Sequence, residues 1–219
     1  MVRIITGSKK GKKLVTLEGE ATRPTSERIK GAIFSSIQFV IEDRRVLDLF
    51  AGSGQLGFEA LSRGAESVTF VDSEREAMEI VKKNAKDLDF FDKSKFSVAD
   101  YRNYIRKASG RDKFDLVFID PPYAMECCVE AAMRLRDAEL IIPGAILVLE
   151  SGSETVSEDD VRLRGFEFVK STAYGKKTAV NILIYRGAVI FKQKVTSVTT
   201  FGYSPTRTRC EFASGKEIK

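Results

Sequence analysis

The run Asp120-Pro121-Pro122-Tyr123 carries the most specific chemical signal in the 219-residue sequence. It follows the apolar run Phe114–Ile119, which predicts a buried strand, and its two prolines fix the backbone where that strand ends. The exocyclic amine of a nucleobase is a poor nucleophile, because its lone pair is delocalised into the ring. The Asp120 carboxylate and a main-chain carbonyl of the turn can hold such an amine, while Tyr123 stacks on the base and positioning supplies most of the rate. The alternative is a strand-terminating turn with a core aromatic residue.

A glycine-rich turn, Leu47-Asp-Leu-Phe-Ala-Gly-Ser-Gly54, lies at the end of an earlier apolar strand. Glycines let a backbone approach a ligand closely, and ligands of open α/β sheets bind beyond the carboxyl ends of the strands. The turn continues as Gly52-Ser-Gly54-Gln-Leu-Gly57, which also matches the G-x-G-x-x-G pattern of dinucleotide sites. The glycines alone therefore leave the choice of cofactor open.

Two carboxylates distinguish between the cofactors that such a turn can bind. Asp72 ends the next strand, 20 residues after Gly52, where a carboxylate can accept hydrogen bonds from both hydroxyls of a ribose. NAD and S-adenosylmethionine both carry that ribose. Asp48 precedes the glycines, where it would repel a pyrophosphate and attract the ammonium and sulfonium groups of S-adenosylmethionine. The pair favours S-adenosylmethionine, although Asp48 also suits a loop-capping role.

The other predicted cofactor contacts follow the same strand ends. Asp100 closes the third strand and can accept from the adenine amino group, or it can cap the helix that follows. Phe50 and Tyr101 can touch adenine, although core packing is the commoner fate of such aromatic residues. The predicted cofactor-binding residues are Asp48, Phe50, Gly52, Gly54, Asp72, Ser73, Asp100 and Tyr101.

Short apolar strands alternate with helices from Val46 to Tyr185, which indicates an α/β protein with a parallel sheet covered on both faces. Strands are predicted at 46–50, 68–71, 95–99, 114–119, 145–149, 166–170 and 179–185. Helices are predicted at 25–41, 57–63, 74–88, 101–108 and 126–137, and acidic residues suggest another helix start near Ser157.

Positive charge concentrates at the two ends of the chain. The net charge is +5, and residues 1–30 alone hold eight Lys or Arg against three Glu, whereas residues 187–219 hold six against two. Basic ends around a mildly acidic body suggest contact with a polyanion such as RNA, although they also suit a merely solvated surface. The predicted nucleic-acid-binding residues are Arg3, Lys9, Lys10, Lys12, Lys13 and Arg23.

Composition excludes several classes of chemistry. The chain has no histidine, which excludes catalytic triads, general bases and metal sites built on histidine, and no metal is expected. Three cysteines without a disulfide framework favour a reducing cytoplasm, and no apolar run approaches the roughly 20 residues that span a bilayer. We expect a cytoplasmic monomer that does not associate with a membrane.

Taken together, these motifs make the sequence similar to the RsmD-type 16S rRNA guanine-N2 methyltransferases over about residues 3–186. Asp-Pro-Pro-Tyr after the fourth strand is typical of amino-methyltransferases that act on nucleic acids. The segments that carry the resemblance are Arg3-Ile-Ile-Thr-Gly7, Gly11-Lys-Lys-Leu14, Arg23-Pro-Thr-Ser-Glu-Arg28, Leu47–Gly54, Glu59-Ala-Leu-Ser-Arg-Gly-Ala65, Asp120–Tyr123 and Tyr174-Gly-Lys-Lys-Thr178.

The resemblance implies a Rossmann-like class I methyltransferase with a seven-stranded, mostly parallel sheet and an antiparallel last strand. It also implies S-adenosylmethionine as donor and, as substrate, the exocyclic N2 of one guanine in small-subunit rRNA, free or in assembling ribosomal particles. By motif, Asp48, Gly52 and Gly54 would line the donor pocket, with Asp72 on the ribose and Asp100 on the adenine amine. Asp120 to Tyr123 would hold the guanine.

The implied organisation is a basic arm or hairpin (residues 1–30), a methyltransferase domain (31–186) and a tail without an assigned role (187–219). Three other functions remain open from the residues alone. One is an amino-methyltransferase for DNA or another RNA, acting on adenine N6 or cytosine N4. Another is a non-catalytic RNA-binding assembly factor, and the third is an NAD-dependent dehydrogenase, for which no proton relay is evident.

Overall fold

The computed structural model describes residues 2–16, 26–175 and 178–187, apart from the side chains of Ser26 and Tyr123. Two predictions fall outside this part of the chain: the RNA contact of Arg23 and the tail after residue 187. The division into three regions therefore stays a prediction.

Seven strands form one sheet, one for each strand that the sequence predicts. They are β1 (Arg45–Asp48), β2 (Ser67–Asp72), β3 (Ser94–Val98), β4 (Phe114–Ile119), β5 (Ile141–Ser151), β6 (Phe166–Tyr174) and β7 (Thr178–Tyr185). Their order is β3-β2-β1-β4-β5-β7-β6. Strands β1 to β5 are parallel, and β7 runs antiparallel to both of its neighbours. The predicted seven-stranded sheet with an antiparallel last strand is confirmed.

Helices cover both faces of this sheet. They are α1 (Ser26–Ile37), α2 (Gln55–Ser62), α3 (Arg75–Asp87), α4 (Tyr101–Ala108) and α5 (Cys128–Asp137). Apolar side chains of α1, α2 and α3 share one buried core with one face of the sheet, and those of α4 and α5 share another with the opposite face. The all-buried strand β4 contributes to both cores, as expected of a central parallel strand.

Element boundaries differ from the predicted ones at two instructive places. Helix α2 begins at Gln55 rather than Gly57, because Gly54 adopts a left-handed conformation (φ +79°) that ends the turn earlier. The acidic segment near Ser157 forms turns and one 3-10 turn, Val161–Leu163, instead of a helix. Asp160 caps that turn by accepting from the Arg162 amide, and β6 starts too soon afterwards for a longer helix.

The chain order reverses at the centre of the sheet, which creates a crevice. Strand β1 pairs with β2 on one side and with β4 on the other, so the connections after β1 and β4 cover opposite faces. Ligands of open α/β sheets bind at such a point, beyond the carboxyl ends of the strands. Asp48, Asp72 and Asp120 all lie at those ends.

Residues 2–15 form a short hairpin. The Ile4 amide donates to the Lys12 carbonyl (2.9 Å), and the Leu14 amide donates to the Val2 carbonyl (3.0 Å). The side chains of Val2, Ile4 and Leu14 are buried in the core that holds α1, α2 and α3. The hairpin therefore shares its core with the sheet and helices.

A buried carboxylate on α2, that of Glu59, anchors the hairpin. It accepts from the amides of Ile5 (2.7 Å) and Thr6 (3.0 Å) and pairs with the Arg63 guanidinium at 2.8 Å. The buried ammonium of Lys30 lies 3.9 Å from the same carboxylate, and burial lowers the pKa of Lys30. The motif at residues 3–7 and the motif at residues 59–65, which are far apart in the chain, are thus in direct contact.

The hairpin packs closely against the end of α2 at Gly7. Its φ is +88°, and a Cβ added there would lie 1.8 Å from the Ser62 carbonyl oxygen. The next amide, that of Ser8, donates to this same oxygen at 2.7 Å. Only glycine satisfies both the left-handed backbone and the lack of space.

Candidate active site

A cavity of about 630 Å³ opens at the carboxyl ends of the central strands. It collects most of the predicted site residues from both motifs. Those that line it are Asp48, Phe50, Gly52, Asp72, Ser73, Asp100, Tyr101, Asp120 and Pro122. The glycine turn and the Asp-Pro-Pro turn, about seventy residues apart in the sequence, therefore face one space.

Asp72 ties the glycine turn to the end of β2. One carboxylate oxygen accepts from the Gly52 amide at 2.8 Å, and the other accepts from the Glu74 amide at 2.9 Å. Each oxygen has a second lone pair, so the carboxylate retains acceptor capacity toward the cavity. The position and chemistry fit the predicted ribose contact.

Asp48 caps the first turn of α2. Its Oδ2 accepts from the Gly57 amide at 3.0 Å, and the residue is only 2 % exposed. The capping role that the sequence left open is therefore present, and Asp48 also lines the cavity. A buried carboxylate in this position adds negative charge just where the glycine turn begins.

Asp100 and Tyr101 begin α4 beside the cavity. The Asp100 carboxylate caps the helix by accepting from the Arg102 amide at 2.9 Å. The Tyr101 hydroxyl donates to Glu130 at 3.0 Å, and its ring lies 5.2 Å from that of Phe50. Burial, followed by the bond to Glu130, raises the pKa of Tyr101 above its usual range. The two aromatic residues thus form a fixed wall.

The Asp120-Pro121-Pro122 turn is held from several directions. The Pro122 carbonyl accepts from the Met125 amide at 2.8 Å, which closes a 3-10 turn. Beyond it, Glu126 adopts a left-handed φ of +42° and its carboxylate accepts from the Ser153 hydroxyl. This conformation is costly for a residue other than glycine, and such strain clusters at functional sites.

The carboxylate of Glu154 fixes the helix that follows this turn. It accepts from the amides of Cys128 (2.6 Å) and Val129 (3.1 Å), the first residues of α5. A negative charge at a helix N-terminus is favourable. Cys127 and Cys128 are buried there as packing residues, and burial raises the pKa of Cys127 to about 11.

Two predicted residues do not line the cavity. Gly54 is not among the lining residues. It packs against the Phe58 ring, where an added Cβ would lie only 2.6 Å from a ring atom. Pro121 is buried and is not among the lining residues. The side chain of Tyr123 is outside the described part, so its stacking role stays a prediction.

Sequence reasoning missed several residues that line the cavity: Val2, Leu49, Ala51, Ser53, Gln55, Leu56, Glu74, Ala77, Ala99 and Met125. Glu74 could have been found from its place beside Asp72 at a strand end. Gln55 had no such signal, yet its Oε1 atom is buried and makes no hydrogen bond among the described residues. Val2 is brought in by the hairpin alone.

The cavity is strongly acidic. Five carboxylates line it, those of Asp48, Asp72, Glu74, Asp100 and Asp120, and no Lys or Arg is among the described lining residues. Such a cavity attracts a cationic ligand and repels a pyrophosphate. The dehydrogenase alternative is therefore disfavoured by charge as well as by the missing proton relay.

The five predicted RNA-binding cations that the structure describes lie on the hairpin and do not line the cavity. Arg3 pairs with Glu27 (3.1 Å), whereas the Lys9 ammonium pairs with Asp89 (2.9 Å). The side chains of Lys10, Lys12 and Lys13 are exposed. Across the described ranges, no cluster of three or more potential ligands could hold a metal ion, and no helix is long and apolar enough to cross a membrane.

The fold and the site define a class of protein, the Rossmann-like methyltransferases. The solved structure of the Escherichia coli protein yhhF, provisionally described as a methyltransferase, matches with a TM-score of 0.74 and 27 % identity over 85 % of this chain and 98 % of that one. A Haemophilus influenzae protein, HI0767, provisionally described as a methylase, matches with a TM-score of 0.71 and 27 % identity over 84 % and 98 %. The chain is an enzyme of this class.

Sequence comparison identifies the family within that class. Residues 2–183 match the family described as Conserved hypothetical protein 95. The Bacillus subtilis protein YlbH, provisionally named an rRNA methyltransferase, is 35 % identical over 88 % of this chain and its own full length. The Ribosomal RNA small subunit methyltransferase D of Haemophilus influenzae is 36 % identical over 68 % of this chain and 78 % of its own. The chain belongs to this family, which confirms the RsmD-type resemblance.

Proposed function

We propose that this enzyme transfers a methyl group from S-adenosylmethionine to the exocyclic N2 of a guanine in small-subunit rRNA. The observation that carries the proposal is that Asp120 and Pro122 line the same cavity as Asp48, Asp72 and Asp100. An amine-binding turn and a donor-binding turn thus share one space. The names of the relatives support ribosomal RNA as the substrate.

The residues of the cavity fit the donor in charge and in hydrogen bonding. When bound, S-adenosylmethionine supplies a methyl group that is activated by a sulfonium. Asp48 and the other carboxylates favour its positive charge, Asp72 accepts from the ribose hydroxyls, and Asp100 accepts from the adenine amine. The buried Oε1 of Gln55 is an acceptor in need of a donor, which the ligand's ammonium group provides.

The Asp120 turn holds the guanine amine. The carboxylate of Asp120 and a main-chain carbonyl of the Pro-Pro turn accept from its two N–H groups, which turns the N2 lone pair toward the methyl group. A C–N bond forms as the C–S bond breaks, and the electron pair of the broken bond stays on sulfur, which becomes neutral. The amine loses one proton to the Asp120 carboxylate, which then passes it to water. Little acid–base assistance is needed, in keeping with a chain that has no histidine.

The test is transfer of tritiated methyl groups to small ribosomal subunits, with the modified base identified by mass spectrometry. Asp120→Ala should lose turnover by at least about 100-fold, as for other groups that position a reacting atom, while it keeps donor binding. Asp72→Ala should weaken donor binding. Asp159→Ala removes an exposed carboxylate outside the cavity lining and serves as the matched control.

Three outcomes would contradict the proposal. Transfer to duplex DNA but not to ribosomal subunits would favour a DNA amino-methyltransferase. Failure of the wild-type protein to bind the donor would favour a non-catalytic assembly factor. A normal rate in Asp120→Ala would show that the amine is held elsewhere.

A further inference from the structure

We infer that Asn84 is a positioning residue that joins the basic hairpin to the glycine turn, so that RNA binding and donor binding strengthen each other. The inference rests on the proposed function, because it concerns the same donor and the same RNA. Asn84 lies on α3 and does not line the cavity. It acts through the two segments that it holds.

The side-chain amide of Asn84 makes three hydrogen bonds to main-chain groups of two separate segments. Its Oδ1 accepts from the Val15 amide at 2.9 Å, and its Nδ2 donates to the Val15 carbonyl at 2.9 Å. The same Nδ2 donates to the Ser53 carbonyl at 3.0 Å. Asn84 is 1 % exposed, so water cannot readily replace these partners. One rigid amide plane therefore fixes the end of the hairpin against the glycine turn.

Both segments held by Asn84 belong to the cavity wall. Ser53 lines the cavity within the glycine turn, and Val2 lines it from the other strand of the hairpin. The Leu14 amide donates to the Val2 carbonyl, which joins Val2 to the strand of the hairpin that ends at Val15. A shift of the hairpin would therefore move the wall at Val2 directly and the wall at Ser53 through Asn84.

The hairpin also presents the cations predicted to meet RNA. Lys10, Lys12 and Lys13 are exposed on it. Phosphates bound to these lysines would restrain the hairpin, and a restrained hairpin holds the glycine turn in its donor-binding position. Thermodynamic linkage makes the effect reciprocal, so bound donor must favour RNA binding by the same factor.

The hydrogen bonds of Asn84 suggest a substitution that removes the link with little change in side-chain shape. Asn84→Asp has nearly the same shape and keeps the acceptor for the Val15 amide. It loses both donated bonds and places a negative charge against the carbonyl oxygens of Val15 and Ser53. The link should therefore break while helix α3 remains.

Equilibrium dialysis of tritiated S-adenosylhomocysteine, with and without small ribosomal subunits, measures the coupling without turnover. In the wild type, subunits should raise the affinity by roughly fivefold, at the lower end of typical couplings. In Asn84→Asp the affinity should fall and the increase should disappear. Met78→Ala, on the same helix and buried but outside the cavity lining, controls for a general loss of stability and should keep the increase.

An unchanged affinity when subunits are added to the wild type would overturn the inference, as would an Asn84→Asp variant that retains the increase. Loss of the increase in Met78→Ala as well would show a merely structural effect and would also overturn it. If wild-type protein binds no S-adenosylhomocysteine and transfers no methyl group, the proposed function itself has failed.

A measurement on the wild type keeps the inference testable if Asn84→Asp does not fold. Donor binding should slow hydrogen exchange at the Val15 amide, which is bonded to Asn84 and is not part of the cavity lining. If the exchange rate of the Val15 amide is the same with and without bound donor, the inference is overturned.

Discussion

Comparing Gly7→Ala with Gly11→Ala should separate the cost of left-handed backbone strain from the cost of a steric clash. Gly7 and Gly11 lie in the same hairpin with nearly equal left-handed φ angles, +88° and +83°. A Cβ at Gly11 would meet nothing within 4 Å, whereas a Cβ at Gly7 would lie 1.8 Å from the Ser62 carbonyl oxygen. Both variants carry the same backbone strain, and only Gly7→Ala also collides with α2.

The structure gives the expected magnitudes. Left-handed backbone costs an alanine about 1 kcal/mol, which is the whole effect expected for Gly11→Ala. Gly7→Ala adds overpacking of roughly 1–3 kcal/mol, and it removes the hydrogen bond from Ser8 to Ser62, worth about 1 kcal/mol. We therefore expect a loss of about 3–5 kcal/mol for Gly7→Ala.

Urea unfolding measures both losses, and dialysis of S-adenosylhomocysteine measures the effect on the cavity. Gly7→Ala should weaken donor binding, because a displaced hairpin withdraws Val2 from the cavity wall. Gly11→Ala should leave it almost unchanged. Free energies of unfolding that agree within about 0.5 kcal/mol for the two variants would refute the close packing of the hairpin on α2.

Three further predictions concern the helices and the cavity. Gly57→Ala should destabilise the protein by roughly 1–3 kcal/mol in urea unfolding, because the added Cβ would lie 2.3 Å from a ring atom of Phe70 in β2. Gly31→Ala in α1 has open space and should stabilise the protein by about 0.5–1 kcal/mol. Changes in the free energy of unfolding that have the same sign for both variants would contradict the close packing at Gly57. Gln55→Leu should weaken donor binding in dialysis yet leave the ligand-free protein equally or more stable, since it removes a buried acceptor that has no partner within the described ranges. A loss of both donor affinity and stability would count against a contact between Gln55 and the ligand. The hydrogen bond from Arg102 lowers the pKa of Glu130 to about 2 from an ordinary 4.5, so the carboxylate stabilises the fold above pH 4.5 and that stability is lost as pH falls toward 2. The urea midpoint of the wild type should therefore fall more steeply over this range than that of Glu130→Gln, and parallel curves would contradict the assignment.

Much of the fold could be predicted because its determinants are local. Strand β4 and helix α4 were predicted at their observed boundaries, since an apolar run and a 3.6-residue periodicity are properties of neighbouring residues. The start of α2 was missed by two residues, because the left-handed turn at Gly54 depends on the rings of Phe58 and Phe70 packed against it. The predicted helix near Ser157 failed because charge pattern alone cannot specify a helix without a buried face.

In the candidate site, too, some features depend on neighbouring residues and others depend on tertiary packing. Asp48, Asp72, Asp100 and Asp120 could be predicted as neighbours, because parallel strands bring their carboxyl ends to one edge of a sheet. Val2 could not, because its place in the wall depends on how the hairpin docks. That docking rests on contacts such as those of Glu59, more than fifty residues away along the chain.

The sequence by itself determined the order of strands and helices, the acidic groups at the strand ends and the rigid turn that follows β4. These follow from local periodicity, from backbone restrictions of glycine and proline, and from charge. Only the tertiary structure decided that the hairpin forms a wall of the cavity and that Asn84 joins two distant segments. It also decided that the Oε1 atom of Gln55 is buried with no hydrogen-bond partner among the described residues. Such features depend on which surfaces meet in space, and residues far apart in sequence leave no periodic signal of that meeting.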